Sequence, residues 1–185
     1  WDGSLYTEGF SSWVDNAARS LIDIDKFIKH PVLDTKRYMN IADFVKAGGT
    51  VATGKLSPLA LAAQLDRDGA TALQRVAAVR TRAKSSPTLD CELTDIEAWC
   101  AYGAYFAEKL RGGVALAQAR ATKDTQKQQE AVLALEKALG HWQRLAELGA
   151  RFNQLPVPSS SKEPFSSAQL TPAVQRDVAM ARAGL

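Results

Sequence analysis

PTLDCELTDIEAWCAYGAYFAEKLRGGVALAQARATKD, residues 87–124, runs straight into TQKQQEAVLALEKALGHWQRLAELGA, residues 125–150. In the first string apolar or small side chains recur at Leu93, Ile96, Cys100, Gly103, Phe106 or Ala107, Leu110, Val114 and Ala117. Steps of three and four return to one face of a 3.6-residue helix, so the spacing predicts a helix over 88–122. Ser86 followed by Pro87 marks its start, because Pro fits the first turn at no hydrogen-bond cost. Asp90, Glu92, Asp95 and Glu97 occupy the early turns, where the helix dipole favours negative charge, and Lys109, Arg111 and Arg120 come later. Gly112 and Gly113 are a weak point, each costing about 1 kcal/mol relative to Ala in a helix interior. The stripe nevertheless resumes in phase at Val114, which keeps the helix continuous.

The second string predicts a helix over 125–150. Thr125 and Gln128 have the spacing of a capping box. Ala131, Leu135, Ala138, Trp142, Leu145 and Leu148 form its apolar stripe, which Leu139 widens. Only Thr122, Lys123 and Asp124 separate the two helices, so they should lie antiparallel as a hairpin.

Working outward, Ser57-Pro58 repeats the start signal. Leu59, Leu61 or Ala62, Leu65, Ala72, Leu73, Val76, Val79 and Ala83 predict a third long helix over 58–84, with Gly69 a candidate kink. Upstream, a helix is expected over 10–20. A short one follows, capped by Asp23, carrying Ile24, Phe27 and Ile28, and stopped at His30-Pro31. Another is capped by Asn40, buries Ile41, Phe44 and Val45, and ends at Gly48-Gly49. Residues 153–165 hold three prolines and a serine run and read as linker. Thr171-Pro172 starts a last short helix with Val174, Val178 and Ala181. The fold class is therefore all-α: a bundle of three long helices with short N- and C-terminal helices. One domain is expected, with short helices and connectors over 1–56, the bundle core over 57–155, and a linker with the final helix over 156–185.

The chain has 185 residues, 46% of them hydrophobic, enough to bury a sizeable core. No apolar run approaches the roughly 20 residues of a membrane span. The net charge of +3 is interleaved along the helices, which argues against a nucleic-acid-binding face. The two cysteines, Cys91 and Cys100, lie about 13 Å apart along one helix and cannot pair if it is intact. The start at Trp-Asp-Gly, without an initiator Met, suggests a piece of a longer polypeptide whose preceding domain is a partner.

Motifs for chemistry are scarce. Asp90, Glu92, Asp95 and Glu97 could hold a metal, yet no Glu-x-x-His accompanies them, so carboxylates serving the helix dipole and solvent are the better reading. Trp99, Tyr102, Tyr105, Phe106 and Trp142 could form a sugar-stacking platform, though aromatics at helical spacing more often pack a core. His141 has no nucleophile pattern beside it. No phosphate loop, zinc spacing or nucleophile elbow occurs. No catalytic residue, metal ligand or cofactor is assigned. Tyr6, Glu8 and Trp13 are the one candidate ligand-binding set, because sugars are commonly held by aromatic stacking plus a carboxylate.

The strings SLIDIDKFIKHPVLDTKRYMNIADFV, DIEAWCAYGAYFAEKLRGGVAL and ALEKALGHWQRLAEL resemble a helical C-terminal region. It is the region found in large multidomain, glycoside hydrolase-like proteins of polysaccharide-degrading bacteria. The resemblance spans roughly residues 4–155. It implies a non-catalytic accessory domain outside the cytoplasm, carbohydrate as a possible partner, and chemistry carried by another domain. The alternative is a tetratricopeptide-like protein-interaction module working through the hairpin groove.

Overall fold

Side-chain caps set where the helices begin. In a computed structural model, which describes residues 21–32, 34–153, 155 and 166–184, six α-helices follow in order. The Asp23 carboxylate accepts from the Lys26 N–H to open α1 (Ile24–Lys29), and Asn40 accepts from Asp43 to open α2 (Ile41–Lys46). Ser57 and Ser86, each followed by Pro, cap α3 (Pro58–Arg82) and α4 (Pro87–Thr122). α5 (Thr125–Phe152) follows, and a 3-10 turn (Ser167–Leu170) leads into α6 (Thr171–Arg182). No strand occurs among the described residues, and the fold is the all-α bundle that the periodicity predicts. The helix expected over 10–20 lies outside the described residues.

One cap differs from expectation. α5 is opened by Asp124, whose carboxylate accepts from the Gln126 and Lys127 N–H groups, and not by a Thr125–Gln128 box. Lys123 sits just before it with φ of 60°, the left-handed turn residue that reverses the chain. The reversal lays α5 antiparallel along α4, the most extensive contact between the described helices.

Gly112 and Gly113 are fully helical and buried, and they explain how closely the layers approach. A Cβ on Gly112 would sit 2.7 Å from Leu135 Cγ of α5, and one on Gly113 would sit 2.9 Å from Ile41 Cδ1 of α2. What the sequence presents as a weak point is where α4 receives α5 on one side and the α1–α2 layer on the other.

α3 corrects the expected pattern in the other direction. It packs on α4 and makes no comparable contact with α1, α2, α5 or α6. Leu61, Ala62 and Val76 are buried, but Leu59, Leu73 and Val79 of the predicted stripe are exposed, and among the described residues α4 is the one helix packed closely along α3. Ile96 of α4 is exposed beside them for the same reason. α3 runs through Gly69 without interruption.

Candidate functional site

Among the described residues, two places that combine chemistry-bearing side chains stand out. The first is internal. Lys109 lies on the face of α4 that carries Phe106, Leu110 and Gly113, and its side chain is 0% exposed. Its Nζ is 2.7 Å from Asp177 Oδ2 of α6, donates to the Ile22 carbonyl at 2.8 Å, and reaches the Tyr105 hydroxyl at 3.3 Å. The Phe27 ring closes the site, 5.4 Å from the ammonium. The other oxygen of Asp177 accepts the Ile24 N–H at 2.8 Å. Burial pulls the Lys109 amine below the usual lysine range against the attraction of Asp177. Burial likewise pushes the Asp177 carboxyl up, against the pull of Lys109 and the Ile24 N–H. With all three ammonium donors taken, this lysine is a tie between α4, α6 and the segment entering α1, not a nucleophile.

Aromatic rings lead from this tie to the surface. Tyr105 meets Trp142 edge-to-face at 4.9 Å, Tyr102 stacks on Tyr105 at 6.2 Å, and Trp99 meets Tyr102 at 6.0 Å. Trp142 is 1% exposed and its indole N–H donates to the Ser167 carbonyl, so the final helix is fastened here too. Trp99, by contrast, is 72% exposed. The sugar-stacking platform considered for these aromatics is thus mostly core, with a single ring presented to solvent.

The second place is a groove on one flank of the α3–α4 pair. Asp68, Ala72, Arg75 and Val79 line its α3 wall, and Leu93 and Ile96 line its α4 wall. Trp99 lies one turn beyond Ile96 on α4. On the far flank, Arg80 donates to Glu97 at 2.9 Å and to Asp90 at 3.3 Å. Two of the four early carboxylates of α4 therefore hold α3 in place. Among the described residues no cluster of His, Cys, Asp and Glu could hold a metal ion. Cys91 and Cys100 are free, and the Cys100 thiol donates to the Gly69 carbonyl at 3.7 Å. Burial, then the Glu97 charge, raises its pKa, so it remains a thiol. No helix in the described residues is long and apolar enough to cross a membrane.

Tyr6, Glu8 and Trp13 lie outside the described residues. Sequence reasoning missed Lys109 and Asp177. Both carry the same signal: a charge placed inside an apolar stripe, as with Asp177 between Val174 and Val178.

No protein family, no curated protein and no solved structure matches this chain.

Proposed function

We propose that this chain is a non-catalytic accessory helical domain that works by docking through the α3–α4 face. Its setting in this reading is a larger secreted, glycoside hydrolase-like, polysaccharide-processing protein, where it braces or edges the catalytic cleft. The observation that carries the docking role is the exposed apolar strip itself: Val79 at 38%, Ile96 at 41% and Trp99 at 72%. Val79 and Ile96 line the groove and Trp99 stands one turn beyond it, and large apolar side chains grouped in this way mark a surface that something covers. The internal polar groups support the non-catalytic part, since Lys109 and Asp177 are spent on each other and on backbone groups. The parent enzyme class rests on the resemblance of residues 20–45, 95–116 and 134–148 alone.

The tetratricopeptide-like reading shares the exposed Trp99 but places its partner in the hairpin groove. Leu135, Ala138 and Trp142 fill the α4–α5 seam, which favours the α3–α4 face instead. The accessory reading is tested by offering aryl glycosides to the purified chain. No turnover is expected, and hydrolysis by the chain alone would end the reading.

A further inference from the structure

We infer that the occupant of the α3–α4 groove is the same groove of a second copy, the two α3 helices crossing antiparallel near Ala72. This rests on the reading of that face as a docking surface. Asp68, Ala72, Arg75 and Val79 follow one another at steps of four, three and four, so they share one flank of α3. Asp68 and Arg75 are exposed, and neither enters an ion pair among the described residues. Arg80, on the opposite flank, is by contrast held by two carboxylates.

Seven residues separate the free acid from the free base, about 10.5 Å along the axis, with Ala72 close to the midpoint. A two-fold interface is self-complementary: what residue i meets on the second copy, its counterpart meets on the first. With the axis near Ala72, Asp68 falls opposite Arg75 of the second copy, and Arg75 opposite its Asp68. One strip supplies both halves of both pairs. The small side chain of Ala72 at the crossing lets the helix axes approach. Val79 and Ile96, which flank the crossing, are then covered along with the apolar walls of the groove. A foreign helix would need the same acid–base spacing in reverse order, whereas the second copy carries it by construction.

The test is sedimentation equilibrium of the chain from micromolar to submillimolar concentration, with Asp68→Arg and Arg75→Asp variants. The wild-type chain should show a reversible monomer–dimer equilibrium. Each single variant turns two opposite-charge pairs into two like-charge pairs. With each exposed pair worth a few tenths to one kcal/mol, each variant should weaken the dimer about tenfold. An equimolar mixture of the two variants should regain wild-type association. In the mixed dimer the new arginine of the first variant faces the new aspartate of the second, and at the other end the native Arg75 faces the native Asp68. Far-UV circular dichroism confirms that each variant keeps its helix content. A chain that stays monomeric throughout, single variants that associate as wild type, or a mixture that fails to recover would each overturn the second copy as occupant. If the chain stays monomeric while Ile96→Asp still uncouples it from a neighbouring domain of its parent, the second copy is overturned and the docking face stands.

Discussion

The two halves of α4 belong to one continuous helix but live in different surroundings. Across residues 105–119 the helix is buried almost all round: Tyr105, Phe106, Leu110, Val114 and Leu116 are in the core, and so are Gly112, Gly113 and even Lys109. α5 lies on one side, α1 and α2 on another, and α6 reaches in through Asp177. Across residues 87–104 only Leu93, Thr94 and Ala101 are buried, while Ile96 and Trp99 stand in solvent. The difference lies in the number of neighbours. A helix walled on several sides can accept glycines and a charged pair as packing devices, whereas the first half, with α3 along one side and α5 meeting it at Tyr102, keeps an ordinary stripe and leaves Ile96 and Trp99 open.

The largest effect expected from this contrast is in the closed half. Asp177→Ala strands the Lys109 charge in a fully buried site, which should cost about 3–5 kcal/mol in denaturant unfolding. Lys109→Met with Asp177→Leu should recover part of the loss. The Ile22 carbonyl and Ile24 N–H remain without partners, at about 1–3 kcal/mol each, so recovery is incomplete. A double variant no more stable than Asp177→Ala would show that the pair is not the unit that matters.

Next in size is one substitution made in both halves. Gly112→Ala drives a methyl into Leu135 and should destabilise by about 1–3 kcal/mol despite the better helix former. Gly103→Ala meets nothing within 4 Å and should stabilise by up to about 1 kcal/mol. Equal signs at the two sites, read from thermal or urea midpoints, would break the comparison.

The buried amine gives a smaller, pH-dependent effect. Burial holds the Lys109 pKa down in the folded chain, so the unfolded chain binds that proton more tightly. Stability therefore rises with pH through the window between the folded value and the ordinary lysine value of about 10.4. Lys109→Met removes this contribution. Urea midpoints in mildly alkaline buffers should climb more with pH in the wild-type chain than in the variant, and parallel curves would count against the burial argument. The smallest effect belongs to the open half: Trp99→Ala should shift stability by no more than about 0.5 kcal/mol, because its ring stands mostly in solvent against the edge of Tyr102.

Local signals in the sequence carried far. Ser57-Pro58, Ser86-Pro87, Asp23 and Asn40 act as caps where their residue types predict, since a cap depends only on a side chain and the N–H groups two or three residues on. The stripe from Ala131 to Leu148 faces the core because α5 has neighbours along one side. The stripe of α3 misled at Leu59, Leu73 and Val79, since periodicity states which residues share a face and not whether a partner covers it. Gly112 and Gly113 misled for the converse reason: their value lies in Leu135 and Ile41, distant in sequence. The Lys109–Asp177 tie joins residues 68 positions apart, and only the presence of a charge within each apolar stripe hints at it. The candidate ligand set Tyr6, Glu8 and Trp13 falls outside the described residues, so the proposed docking surface rests on a groove that no motif announces.

Amide hydrogen exchange, followed residue by residue in dilute solution, tests the division of α4 most directly. Exchange at 105–119 should require global unfolding, while α3 and residues 91–101 of α4 should open at distinctly lower free energy. Uniform protection from Pro58 through Ala119 would contradict the account, because α3 and the first half of α4 would then belong to the same closed core as the rest.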